Sequence, residues 1–218
     1  KHDIVKRSLS SLTPQIFARY RDERMDDGIS NSTICRELSF MSIAIKKAIR
    51  FYNCWLPEHP IPNDIKPKEN PPRNRRLQEG EFEKLMQHCK TKRNSYWCSM
   101  IEFAIETAMR LNEQLTLKWD QVDLKKMMIT ILAEHSKTGV ERKIPLTPRA
   151  IQILNEIPRH IKGRVFPVSL NNFQRAWRSI TRNAEIENLH WHDLRREACS
   201  RLMESGLSIS EVQMFTGH

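Results

Sequence analysis

The side chains best suited to chemistry cluster in the last twenty-nine residues, HWHDLRREACSRLMESGLSISEVQMFTGH, positions 190–218. His192 and Arg195 are three apart, so on a helix they stack on one face. Gly206 supplies a stop for that helix. Ser208, with Glu211 three residues on, forms a capping box that opens a second one. The chain therefore folds back and can bring Gly217 and His218 near the first helix. Two imidazoles and an arginine converging in a basic protein suit a phosphate, because all three donate hydrogen bonds to its oxygens.

Two further groups lie upstream. Arg110 sits at the end of an apolar helix, where a cation is costly unless paired, and Glu113 is three residues away. Alone, the two read as an ordinary helix pair worth a few tenths of a kcal/mol. Lys137 lies in Glu134-His135-Ser136-Lys137-Thr138-Gly139, between the apolar runs 127–132 and 140–146. Gly139 can supply the positive φ of a hairpin turn. By itself, a lysine at such a tip is a solubilising charge.

The elements that must hold these groups are mostly helical. Thr13-Pro14 is an N-cap followed by proline at the first helical position, and Ile16, Phe17 and Tyr20 continue a short amphipathic helix to about Gly28. Ser30 or Ser32 opens a longer one, with Ile34, Leu38, Met41, Ile45, Ile49 and Tyr52 at helical spacing. Its other side carries Arg36, Lys46, Lys47 and Arg50, either a solvated face or a set of phosphate contacts. From Pro57 to Arg76 the chain holds six of its eleven prolines, then Arg73, Arg75 and Arg76, which predicts an extended basic linker. Beyond it, Phe82, Leu85 and Met86 mark a helix, and Trp97 to Ala108 another that is nearly all apolar and central to a core. Thr147-Pro148 caps a helix with Ile151, Leu154 and Ile157. Ser169 opens one with Phe173, Trp177 and Ile180 inside and Arg175, Arg178 and Arg182 outside.

This pattern predicts a mainly α fold with a small antiparallel β-sheet, divided as 1–62, a helical domain, 63–76, the linker, and 77–218, a larger mixed α/β domain. The 218 residues carry 36 Lys and Arg against 26 Asp and Glu, a net charge of +10. The excess is shared: residues 1–76 hold 15 basic and 9 acidic side chains, and 77–218 hold 21 and 17. A polyanion touched by both parts is the natural partner, although a soluble protein can be basic without one. The five cysteines form no CxxC pair, which predicts reduced thiols rather than a disulfide framework or a zinc site. No apolar run is long enough to span a membrane, and no secretion signal opens the sequence. The chain begins on Lys1, as a piece of a longer protein would.

Taken in order, these residues resemble the tyrosine recombinases, the phage-integrase family. Arg110 and Glu113, followed by Leu115, Leu117 and Trp119, are similar to the family's first box. Lys137 matches the lysine of its β-hairpin, and His192-Asp193-Leu194-Arg195 with Gly217-His218 looks like its C-terminal signature. The resemblance implies a helical core-binding domain joined to a recombinase catalytic domain. It also implies cleavage of double-stranded DNA by transesterification through a 3′-phosphotyrosyl link, leaving a free 5′-hydroxyl. Arg110 and Arg195 would then hold the non-bridging oxygens, with Glu113 supporting Arg110. Lys137 would protonate the departing 5′-oxygen, His192 would accept the nucleophile's proton or donate to the phosphate, and His218 would add a donor. Lys46, Lys47, Arg50, Arg75 and Arg76 are the candidate DNA contacts.

The phosphotyrosine retains the bond energy, so no cofactor and no metal is implied. The family's nucleophilic tyrosine lies beyond the Gly-His pair, whereas Tyr20, Tyr52 and Tyr96 all precede Arg110. The 218 residues are therefore expected to bind DNA without cutting it. Further implications are a tetramer on DNA for the full-length protein, an accessory DNA-bending protein, and a cytoplasmic, nucleoid-associated setting of bacterial or phage origin. Rivals are a type IB topoisomerase or telomere resolvase with the same chemistry, a non-catalytic regulator using the turn at Ser205-Gly206-Leu207 and the helix Ser208–Phe215 as a helix-turn-helix, and an inactive mobile-element remnant.

Overall fold

Helix signals and the turns between them account for most of the chain. The computed structural model describes residues 2–217 apart from 53, 57, 92–95, 137, 138 and 162. Among the described residues there are nine α-helices and one three-stranded antiparallel sheet. The chain divides into two compact units, Lys1–Arg73 and Asn74–His218.

In the first unit, α1 (Pro14–Asp26) begins with proline inside its first turn, and α2 (Asn31–Phe51) begins where the Ser30 hydroxyl accepts from the Thr33 N–H. Such a cap contributes about 1 kcal/mol. Phe17 and Tyr20 of α1 meet Ile34, Leu38 and Ile45 of α2 in one apolar cluster. The predicted stripe on α2 fails at its far end, since Ile49 is 37% exposed and Tyr52 79%. The 13 residues of α1 are too short to cover the 21 of α2, so the last turns of α2 overhang. Ile61 and Ile65, in the proline-rich stretch, belong to this core. Backbone carbonyls of Ile65, Pro67 and Lys68 accept from Arg21, Cys35 and Asn31, strapping that stretch to the helices.

The second unit is built around α4 (Tyr96–Thr107), which buries Trp97, Met100, Ile101, Phe103, Ala104, Ile105 and Thr107. Packed on it are α3 (Glu81–Lys90), α5 (Leu111–Thr116), α6 (Pro148–Glu156) and α8 (Trp191–Glu204). α7 (Leu170–Asn183) packs on α3, and α9 (Ile209–Thr216) packs on α8. The sheet orders β1 (Val122–Asp123), β2 (Met128–Ile131) and β3 (Arg142–Pro145), with Ile129 opposite Ile144. β1 is too short to leave a period-2 signal in the sequence. The β2–β3 connection is a longer loop than a tight hairpin, with a 3-10 turn at Ala133–His135 and Gly139 at φ +69°.

The cysteine expectation is corrected. Cys89 of α3 and Cys98 of α4 form a disulfide, their Cα atoms 5.5 Å apart, while Cys35, Cys54 and Cys199 are free thiols. Cys89 lies near the end of α3 and Cys98 near the start of α4, two helices that pack together, so residues nine apart meet, a proximity that CxxC counting does not detect. Among the described residues, no helix is long and apolar enough to cross a membrane, and no cluster of three or more His, Cys, Asp or Glu could hold a metal ion.

Candidate active site: an arginine cluster around a buried glutamate

The site begins with a break in the backbone. α4 stops at Thr107, and Ala108 takes φ +52°, a left-handed conformation that costs a non-glycine residue about 1–2 kcal/mol. This turn sends the chain into α5, with Arg110 at its N-cap. Glu113 occupies the third position of α5, and its carboxylate accepts from the Arg110 backbone N–H at 2.8 Å and from Arg110 Nη1 at 3.0 Å. The Arg110–Glu113 pair is therefore a helix-start lock, in which one acid caps the helix and orients the cation.

Glu113 has a second cation that the sequence reading missed. Arg142, the first residue of β3, donates from Nη1 and Nη2 to the two carboxylate oxygens at 2.9 and 2.7 Å. The Glu113 side chain is 1% exposed and that of Arg142 11%. Burial pushes the Glu113 carboxyl upward, but hydrogen bonds from Arg142 and Arg110 outweigh it and hold the group below the usual carboxylate range. A signal for Arg142 existed. Residues two apart on a strand share a face, so Arg142 lies on the side of the buried Ile144, where a cation needs a partner.

α8 carries the other half. Asp193 caps its start by accepting from the His190 N–H at 2.8 Å, and it also accepts from Arg196 at 2.6 Å. Arg195, three residues after His192 as predicted, is only 4% exposed. Its Nη1 donates to the Ala108 carbonyl at 2.5 Å and its Nη2 to the Thr216 carbonyl at 2.7 Å. Arg195 thus ties the strained turn before Arg110 to the end of α9. Among the described residues it has no carboxylate partner. Burial, and then the charge of Arg110, lower its pKa to about 10, so it remains a cation at neutral pH. His192 reaches solvent, yet desolvation of its ring and the charges of Arg196, Arg195 and Arg110 hold it below the usual imidazole value.

Arg110, Glu113, His192 and Arg195 therefore come together, with Arg142 added. Lys137 and His218 lie outside the described residues. Lys46, Lys47 and Arg50 are exposed on α2, interleaved with the exposed Phe40, Ile43 and Phe51. Arg75 and Arg76 are not free charges. Arg75 pairs with Glu81, and Arg76 bonds Glu197 at 3.0 Å and Glu204 at 2.6 Å. Of the tyrosines, Tyr20 donates to Glu37 in the first unit, and Tyr96 donates to the Pro158 carbonyl.

A model of the phage integrase family matches residues 75–218, more than half of the chain and all the residues of this cluster. The chain belongs to the phage integrase family. A shufflon-specific DNA recombinase of Escherichia coli is 33% identical over the whole chain, and the integrase of Salmonella phage P22 is 28% identical over 85% of it. The chain spans 58% and 51% of the lengths of those relatives. In fold it resembles the Tn1549 transposon integrase in complex with a circular intermediate DNA (TM-score 0.78, 16% identity, 96% of this chain and 79% of that one). It also resembles a lambda integrase dimer bound to a COC′ core site (TM-score 0.76, 19% identity, 96% and 80%). These family relationships match the mainly helical architecture with its small sheet.

Proposed function

We propose that this chain is the DNA-binding and phosphate-activating part of a site-specific tyrosine recombinase, which cuts and rejoins duplex DNA through a 3′-phosphotyrosyl intermediate. The observation that carries the reading is Arg195, a buried guanidinium with no carboxylate partner among the described residues, set beside Arg110 around the turn at Ala108. A buried unpaired cation is costly, and an anionic substrate offsets that cost. Among the described residues, two of Arg195's five donors are in use, which leaves others for phosphate oxygens.

In the proposed chemistry, Arg110 and Arg195 grip the non-bridging oxygens and neutralise charge as the phosphorus becomes pentacoordinate. His192, held neutral at pH 7, is suited to take the nucleophile's proton. Lys137 protonates the 5′-oxygen as it leaves, and His218 adds a donor. The phosphotyrosyl bond forms as the bond to the 5′-oxygen breaks, and religation reverses the step. No cofactor or metal enters this scheme. Because Tyr20, Tyr52 and Tyr96 all precede Arg110, whereas the family's nucleophilic tyrosine follows the Gly-His pair, the nucleophile of this scheme comes from outside these 218 residues, and the chain alone binds without cutting.

On DNA, the exposed Lys46, Lys47 and Arg50 contact phosphates, while Arg75 and Arg76 do so only by sharing their carboxylate partners. A tetramer on DNA is the proposed working assembly of the full gene product, with an accessory bending protein as a further partner. The regulator reading is weaker, because α9, which would be its recognition helix, contains no Lys or Arg. The full gene product given a nicked suicide substrate should trap a covalent protein–DNA complex. Arg110→Ala and Arg195→Ala should each lower that rate by about 10²–10³-fold or more. Trapping unchanged by either substitution refutes the reading. Sequence-specific binding that survives both, with no covalent complex from the wild type, supports the regulator instead.

A further inference from the structure

Glu113 offers a carboxylate with about four acceptor positions, and all four are taken. The Arg110 backbone N–H fills one, Arg110 Nη1 a second, and the Nη1 and Nη2 of Arg142 the remaining two. Arg110 therefore surrenders a single side-chain donor to its acid. Its Nε and Nη2 make no hydrogen bond among the described residues and are not buried, so they remain for an incoming oxyanion. Without Arg142, an arginine three residues from a buried carboxylate would settle into the stronger two-point pairing, fork to fork. The cation needed for phosphate would then be consumed by its own support.

Arg142 is itself held on both flanks. Its fork faces Glu113, and its aliphatic end faces Gly217, where a Cβ would stand 2.5 Å from Cδ and 2.7 Å from Nε. Gly217 has φ +65° and closes α9, whose neighbouring Thr216 carbonyl accepts from Arg195. Arg142 Nε is buried and has no hydrogen-bond partner among the described residues. A cation in that position, sealed between a carboxylate and a glycine, is placed by the fold rather than by solvent.

We infer that Arg142 is a positioning residue of the recombinase site, saturating Glu113 so that Arg110 keeps two donors for the scissile phosphate, and seating the Gly217 turn on β3. The inference rests on the proposed recombinase function, and two readouts separate their failures. The first needs no activity: arginine side-chain NMR of the 218-residue chain, wild type and Arg142→Met, reads the Nε–H and Nη–H groups of Arg110. Two-point pairing of Arg110 with Glu113 in the variant is the expected result. An unchanged Arg110 spectrum in a folded variant overturns the inference.

The second readout uses the full gene product on the suicide substrate. Arg142→Met should slow single-turnover cleavage by about 10- to 100-fold, as small misplacements of catalytic groups do, while DNA affinity changes less than about twofold. Arg142→Lys, which keeps the charge but not the fork, should recover part of the rate. The double variant Arg142→Met/Glu113→Gln should recover more than Arg142→Met alone, because the amide no longer captures Arg110. A purely structural role predicts the reverse order for the double variant, and that order overturns the inference. If Arg142→Met does not fold, Gly217→Ala, which pushes Arg142 from the other side, should give the same selective loss, and an unaltered rate rejects the proposal. A wild type that forms no covalent complex sinks the recombinase reading, and the NMR result alone then decides the role of Arg142.

Discussion

At the scale of single residues, the site is a problem in charge placement. Two arginines, Arg110 and Arg142, share one buried glutamate while Arg195 bonds backbone carbonyls, and desolvation, followed by the charges of Arg196, Arg195 and Arg110, lowers the pKa of His192. The folded state thus favours neutral imidazole. Because the folded pKa is depressed, any stability contribution is present above the ordinary value of 6.5 and is lost as pH falls through the depressed folded value. NMR titration of His192 in the free chain should give a midpoint below 6.5. Bound DNA should move it upward, since a phosphate compensates the neighbouring cations. A free midpoint well above 7 would leave His192 mostly protonated and remove it from the role of base at neutral pH. The sequence revealed His192, Arg195, Arg110 and Glu113 because each pair is local. Arg142 shares a strand face with Ile144, but the acid that serves it was hidden because Glu113 lies 29 positions away, beyond β1 and β2.

At the scale of elements, caps and turns were the legible part. Thr13-Pro14, Ser30, Thr147-Pro148, Ser169 and Ser208 each start the helix that local chemistry demands. What failed were features decided by neighbours. The apolar helix anticipated to Ala108 ends at Thr107, and what the sequence did not show is that Ala108 turns left-handed and its carbonyl accepts from Arg195 of α8. Replacing Ala108 with valine should destabilise the second unit by about 2 kcal/mol or more in urea unfolding, because a β-branched side chain tolerates that φ poorly. The α3–α4 bridge is the other case. Thiol titration of the unreduced protein in denaturant should count the three free cysteines, 35, 54 and 199, rather than all five. A count of five means that the two helices are held by packing alone. The Arg76 anchor on Glu197 and Glu204 likewise fixes the start of the second unit directly to the helix that carries His192 and Arg195.

At the scale of the whole molecule, the net charge of +10 is distributed over both units, which suits a ligand long enough to meet each of them. Binding to a duplex should weaken steeply with salt. The combined substitution Lys46→Ala/Lys47→Ala/Arg50→Ala should reduce the slope of log K against log salt by up to about 2.7 if all three touch phosphate. An unchanged slope would confine those cations to the solvated face that is the plain alternative. The overhanging end of α2 has a consequence for how such binding can be watched. Trp55 is 81% exposed in the first unit, whereas the other four tryptophans, 97, 119, 177 and 191, belong to the second and are all at least partly covered. The protein therefore contains an intrinsic optical probe: iodide should extinguish the red-edge emission of one indole selectively. Protection of that emission by a ligand reports contact near the α2 overhang without any dye attached.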